Sequence, residues 1–447
     1  MRLISVLLIA CFWIAQPVCL SVWAQDSPVS AYAFVDVNLI PIQPAGVLPH
    51  QTLLVKNGHI IAMGSVDQIQ IPSGYQVLDL KGKYILPGFS DMHVHLAQER
   101  DLLTFLRYGI TQVRNMGDSK WWGKLAGFPH VPDLRDKVRD GLLIGPDIFA
   151  CGAFLDGDPP QSSITTAISD PEQARQAVRQ TVQDHFDCIK VYNRLSKKNF
   201  EAIVKEAWFQ DIPVMGHVPF EVGIDGALAA HMKTIEHLNA YVNNFAGVYR
   251  IPPERWAEYA EKTREADTYN CPTLVMWEQH PEYLNYAPIA ADPRYTDVPV
   301  YLKLFWEFSV TELFDVPYHD KHHYAQDLLT MSKPMVKALY DGGAKLLIGT
   351  DANLTGVFPG RTALREMELF AEAGIDNQGI LEAATLNAAK VLGKQDSNGT
   401  LAIGKSAQLV VLDANPLHDM RAVYQTVGVM THGQWLPVAV LDQLLKK

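Results

Sequence analysis

The chain has 447 residues, 48% of them apolar and 19% charged, enough for one large hydrophobic core or two moderate ones. Its formal charge of -11 is spread along the sequence with no acidic tail, and no basic run is present that would neutralise phosphates. Nucleic acid is therefore excluded as a partner.

The N-terminus differs in character from the rest of the chain. Arg2 supplies a minimal positive region, Leu3 to Ala15 is nearly unbroken apolar sequence, and Val22-Trp23-Ala24 offers small residues at cleavage positions. Residues 1–24 read as a secretory signal peptide, which makes the mature protein periplasmic or secreted. Gln16 and Pro17 end the apolar run short of the roughly 20 residues of a spanning helix, so no stable membrane insertion is expected after signal removal. Leu8-Ile9-Ala10-Cys11 resembles a lipoprotein cleavage box, but Cys11 comes early and the apolar run continues past it. Cys11 and Cys19 leave with the signal. Cys151, Cys188 and Cys271 remain, an odd set at irregular spacing that reads as buried unpaired thiols and not as a disulfide framework.

Short β-rich pieces come next. Ala31 to Ile40 alternates, and Leu53 to Lys56 joins His59 to Ala62 through Asn57-Gly58, a link that favours a type I′ hairpin because both positions tolerate positive φ. Gln76 to Leu80 and Lys83 to Leu86 flank a glycine turn, and β pieces recur at Gln408 to Leu412 and Val427 to Leu436. Two β-rich ends thus enclose a different middle.

That middle, residues 87–396, alternates short apolar strands with helical segments, the pattern of βαβ units on a parallel sheet. Eight candidate strands fall at 88–96, 110–117, 147–154, 188–193, 213–218, 234–238, 269–275 and 345–351. Eight parallel strands predict an α/β fold, a (β/α)8 TIM barrel. Pro171 follows Asp170 at a predicted first helical position, and Gly342-Gly343 and Gly374 stop helices. One long connection, Trp277 to about Pro334, is crowded with aromatics, including Tyr283, Tyr286, Tyr301, Phe305, Trp306, Phe308 and Tyr324. It reads equally as a cover over the barrel mouth or as a packed helical insertion.

The sharpest local signal is Leu86-Pro87-Gly88-Phe89-Ser90-Asp91-Met92-His93-Val94-His95. Residues i and i+2 of a strand face the same way, about 6.6 Å apart, so His93 and His95 can pinch one metal ion. A lone His-x-His pair is more often an ordinary surface or core pair. Here Lys190, His217, His237 and Asp351 also fall near the C-terminal ends of the fourth, fifth, sixth and eighth predicted strands, the end where barrel active sites form. Chance placement does not easily explain that convergence.

These residues resemble the amidohydrolase superfamily, in its imidazolonepropionase-like and prolidase-like branch. The similarity covers essentially the whole mature chain: Tyr108 to Arg114, Ile189-Lys190-Val191-Tyr192, Gly216-His217-Val218-Pro219, Ile235-Glu236-His237-Leu238, Gly349-Thr350-Asp351-Ala352, and Ala384 to Ala389. Two positions depart from the pattern. Gln408 stands where the family usually has aspartate, and His231 replaces a common glycine before the sixth strand, which puts the local turn geometry in question. The resemblance implies that residues 25–86 and 397–447 form one composite β-sandwich domain beside the barrel. It further implies two divalent ions, of zinc type, with His93, His95 and Asp351 on the first, His217 and His237 on the second, and Lys190 carboxylated to bridge them. The plainer reading of Lys190 is a structural ion-pair residue.

The expected chemistry is hydrolysis of an amide or peptide bond in a small substrate such as a dipeptide or N-acyl amino acid, with Asp351 as proton shuttle. Tyr192, Arg114 and Asn353 are candidate substrate contacts near strand ends, the cation suited to a carboxylate. Two alternatives stay open: a cyclic amide, lactone or deaminase-type hydrolase of the same fold, and a periplasmic metal- or solute-binding protein without turnover. A homo-oligomer is compatible with all three.

Overall fold

A computed structural model describes residues 30–118, 129–161, 164–242, 251–283, 286–308 and 321–446. The segment read as a signal peptide, with Cys11 and Cys19, lies outside the described residues. Among the described residues no helix is long and apolar enough to cross a membrane.

Both chain ends build one eight-stranded sheet. Its path runs Gln434–Pro437, Thr426–Thr431, Leu409–Leu412, Tyr84–Pro87, Ala31–Leu39, Leu48–Lys56 and His59–Ser65, with Gln76–Asp79 paired on Ala31–Leu39. The ends join where Tyr84–Pro87 runs antiparallel to Leu409–Leu412, Pro87 opposite Leu409. The Asn57-Gly58 link closes its hairpin with Lys56 opposite His59, and both linking residues have positive φ, +50° and +74°. Phe34, Leu53, Ile85, Val411 and Met430 fill one face, where Trp435 stands edge-on to Phe34 at 5.5 Å.

The second sheet is parallel and rolls into the barrel: Phe89–Val94, Ile110–Asn115, Asp147–Asp156, Cys188–Val191, Val214–Gly216, Thr234–Glu236 and Tyr269–Cys271, in sequence order. The eighth stave is an extended segment tied on both sides instead of a regular ladder. Leu347 N–H donates to the Asn270 carbonyl, and Met92 N–H donates to that of Ile348. Asp91 strengthens the seam, its buried carboxylate accepting from the Thr350 N–H at 3.1 Å and hydroxyl at 2.7 Å.

Local chemistry sets the helix ends. Asp170 caps Pro171–Gln183 by accepting from the N–H groups of Glu172 and Gln173, a contact worth about 1 kcal/mol. His231 occupies a left-handed turn position, φ +51°, and meets the Ala266 carbonyl through Nδ1 at 3.3 Å, so histidine adopts the conformation glycine would take more readily.

The expectation of three unpaired thiols is corrected in the barrel wall. Cys188 sits directly opposite Cys151 across adjacent parallel strands, with Cα atoms 4.5 Å apart, and the two form a disulfide. Among the described cysteines Cys271 alone is free, and it is buried. Sequence separation hid the pairing, because two strands 37 residues apart become neighbours only when the sheet forms.

The long connection is helical: Leu274–Tyr283, Tyr286–Ala291, Val300–Phe308 and Lys321–Asp341. The side chains of Tyr283, Tyr286, Phe308 and Tyr324 lie outside the described residues. Trp306 is fully buried in a small core with Ala97, Ile289, Val298, Leu302 and Phe358.

Candidate metal centre

The sequence candidates converge at the C-terminal ends of the barrel strands. His93 Nε2 lies 3.4 Å and His95 Nε2 3.0 Å from Asp351 Oδ1, while His237 Nε2 lies 3.8 Å from Asp351 Oδ2. The rings of His93 and His237 are 4.6 Å apart and those of His217 and His237 5.0 Å apart. His237 and Asp351 have positive φ, +59° and +66°, uncommon for residues with side chains and tolerated where the surroundings hold them. Gly216, at φ +129°, precedes His217 where a Cβ would collide with the Val191 carbonyl oxygen.

Each of three histidines is oriented through Nδ1. His93 Nδ1 meets Glu236 Oε2 at 2.8 Å, His217 Nδ1 meets Asn193 Oδ1 at 3.0 Å, and His237 Nδ1 meets Thr273 Oγ1 at 2.6 Å. The Thr273 hydroxyl donates to the Pro272 carbonyl, and Asn193 donates its amide to Gln161, so both oxygens are left as acceptors for Nδ1–H. That assignment makes the Nε2 atoms the candidate ligating atoms.

Electrostatics favour the same state. Burial, then the Lys190 charge, keeps His217 well below the usual imidazole range; burial holds His93 down at about 4 and His237 at about 3. Burial brings Lys190 down to about 8, against the pull of the Glu236 and Asp351 carboxylates. Burial would raise Asp351, but the imidazoles of His93, His95 and His237 outweigh it and hold the carboxyl far below its ordinary range.

The donor set fits a divalent cation. His93, His95 and Asp351 bring three ligand atoms within 4.8 Å of one another, and the buried Asp351 Oδ1 accepts no hydrogen bond of good geometry. A second grouping, His93 with Glu236 and Cys271, fits poorly because burial pushes the Cys271 thiol well up and Glu236 already faces a guanidinium.

Two substrate candidates are placed differently from expectation. Arg114 is wholly buried inside the barrel: Nε donates to the Met92 carbonyl, Nη1 to Thr234, and Nη2 to both oxygens of Glu236 at 2.9 and 3.0 Å. It holds Glu236, which holds His93, and does not face a substrate. Asn353 likewise turns inward, donating to the His95 carbonyl and to Asp101. Strand periodicity assigns a face to each residue but does not say which inward residues meet one another. Tyr192 does reach the site, half-buried and stacked on His217 at 4.2 Å.

Sequence reasoning missed Glu236, Asn193, Thr273 and Asp91. The available signal was a charge on an apolar strand: Glu236 interrupts Thr234-Ile235-Glu236, and a buried carboxylate requires a partner.

A parallel barrel with an imidazole and carboxylate cluster at its C-terminal mouth defines a barrel enzyme. Residues 84–436, more than half of the chain, match the amidohydrolase family, and the chain belongs to it. It is a hydrolase acting on carbon–nitrogen bonds of small-molecule substrates. Ochratoxinase from Aspergillus niger is 21% identical over 402 residues, spanning 78% of this chain and 74% of that protein. The structure of bottromycin amidohydrolase aligns with a TM-score of 0.72 at 25% identity, over 94% of this chain and 89% of that one. That of a Xaa-Pro dipeptidase with bound methionine aligns at 0.68 and 22% identity, over 91% of this chain and 100% of the other.

Proposed function

We propose that the protein cleaves the amide or peptide bond of a dipeptide or N-acyl amino acid at two divalent ions of zinc type. His93, His95 and Asp351 would hold one ion, His217 and His237 the other, with Lys190 as a carbamate between them. The observation that carries the reading is the convergence of three Nε2 atoms on the Asp351 carboxylate, whose Oδ1 is buried without a hydrogen bond. When bound, divalent metal lowers the pKa of a coordinated water from about 15.7 towards 7 and polarises the scissile carbonyl.

The chain's own residues supply the rest. Asp351, ionised at neutral pH, accepts the proton of the attacking water and returns it to the departing amine nitrogen. Lys190, brought down by burial, offers the neutral amine that carbamate formation needs. Tyr192 lies beside His217, where its ring and hydroxyl can meet the substrate. A relative with the name Xaa-Pro dipeptidase supports a substrate with proline on its C-terminal side.

Residues 1–24 would direct export. The Cys151–Cys188 disulfide supports that location, because such bonds persist in oxidising compartments.

The test combines metal analysis with a panel of Xaa-Pro dipeptides, other dipeptides and N-acyl amino acids, assayed before and after chelation and zinc reloading. About two ions per chain and chelator-sensitive cleavage are expected. Turnover that survives complete metal removal would sink the proposal.

A further inference from the structure

The loops after the first and eighth strands carry His95 and Asp351, and neither loop is held by the barrel alone. The Asn353 amide donates to the His95 carbonyl at 2.9 Å and to Asp101 at 2.8 Å, and Asp101 accepts from the N–H groups of Ala97 and Gln98. The His95 N–H donates in turn to the Ala352 carbonyl, so residues 95–97 and 352–353 form one hydrogen-bonded unit.

A single helix outside the barrel repeat, Val300–Phe308, grips both halves of that unit. Its Tyr301 hydroxyl donates to the Ala97 carbonyl, two residues beyond His95, and its Trp306 Nε1–H donates to the Asn353 carbonyl at 2.9 Å, two residues beyond Asp351. Five residues of helix separate the two donors by about 7.5 Å along the axis, enough for one rigid rod to reach two loops. The grip is dry. Trp306 is fully buried, packs edge-on against Phe358 at 5.5 Å, and shares a core with Ala97, Ile289 and Leu302.

We propose that the helix Val300–Phe308 is a clasp on the metal centre, with Tyr301 and Trp306 as positioning residues that hold His95 and Asp351 at ligating distance. This rests on the metal-centre reading above. A ligand on a loop pays for ion binding with the entropy of ordering that loop; a loop already held at its backbone carbonyl binds more tightly. The long aromatic connection then contributes to metal affinity, beyond any covering of the mouth.

The test uses conservative aromatic variants that delete the donor. Trp306→Phe and Tyr301→Phe are compared with the parent and with Leu304→Ala, an exposed control on the same helix. Affinities for zinc and for cobalt are measured by chelator competition on metal-stripped protein, together with the visible spectrum of the cobalt form and the Tm of the metal-free form. Each donor deletion should weaken the tighter ion by about tenfold or more and alter the cobalt spectrum, while Leu304→Ala leaves both unchanged. If both variants keep parental affinity and spectrum and lose only metal-free Tm, the residues merely pack a helix and the clasp is wrong. A parent that binds no ion would overturn the metal reading and the clasp together, so the two failures are distinguishable. Should Trp306→Phe fail to fold, Tyr301→Phe decides by the same criteria.

Discussion

Arg114→Met tests the deepest part of the site without requiring metal. In the parent, Arg114 and Glu236 are both fully buried, with Nη2 at 2.9 and 3.0 Å from the two carboxylate oxygens. Burial alone would raise Glu236, but the guanidinium, followed by His93, carries it far below its ordinary 4.5. Methionine approximates the length of the arginine stem and removes the charge, leaving the buried carboxylate without its guanidinium partner. Breaking a buried pair in this way costs about 3–5 kcal/mol. At about 2.1 cal/mol/K of unfolding entropy per residue over roughly 400 residues, that loss lowers Tm by about 4–6 °C.

The sign of the pH dependence comes from the same pair. Glu236 is depressed in the folded parent, so its stabilising contribution is present above pH 4.5 and is lost on acidification. In Arg114→Met burial dominates and the carboxyl titrates above 4.5, so folding is opposed as pH rises. The deficit against the parent should be smallest near pH 4 and grow towards pH 7. The assay is scanning fluorimetry of metal-free protein across that range, and Arg114→Met/Glu236→Gln should recover most of the loss because neither charge of the pair remains. A single variant with parental Tm at pH 7, or a deficit that shrinks as pH rises, would refute the reasoning.

The proposed metal ligands and the cysteines give further expected outcomes. Asp351→Asn keeps the shape of the side chain and removes the base, so kcat should fall by about 100-fold or more at saturating zinc; an unchanged kcat would assign the proton transfer elsewhere. Lys190→Ala should bind about one ion per chain, with affinity at the second position reduced by about 10–100-fold, and a short carboxylic acid in solution should restore part of it; parental stoichiometry by metal analysis would remove the bridging role. Thiol titration of the mature chain under denaturing, non-reducing conditions should release one thiol, that of Cys271, and three after reduction; three without reductant would deny the Cys151–Cys188 bond. Mass spectrometry of exported protein should find an N-terminus near Gln25, and an intact Met1 on soluble cytoplasmic protein would contradict export.

Much of the barrel, and the placing of the candidate site residues at its strand ends, was legible in the sequence because it rests on short-range periodicity. Period-two alternation put His93 and His95 on one face, strand and helix lengths alternated as βαβ units require, and Asn57-Gly58 named its own turn. Lys190, His217, His237 and Asp351 could be placed at strand ends for the same reason: where a strand stops is written locally, in turn residues and in the loss of apolar pattern. What tertiary structure decided is which inward-facing groups meet. A charge at a strand end tends to face solvent, which makes Arg114 look like a substrate cation, yet the closed barrel sets it against Glu236, 122 residues away, where each makes burial of the other tolerable. Cys151 and Cys188 likewise became partners only through strand register. Tyr301 and Trp306 were two aromatics among many until folding set one helix across the loops of His95 and Asp351. Local sequence encodes direction and spacing along the chain; contact between residues a hundred positions apart depends on sheet closure and packing, for which a single sequence carries no local signal.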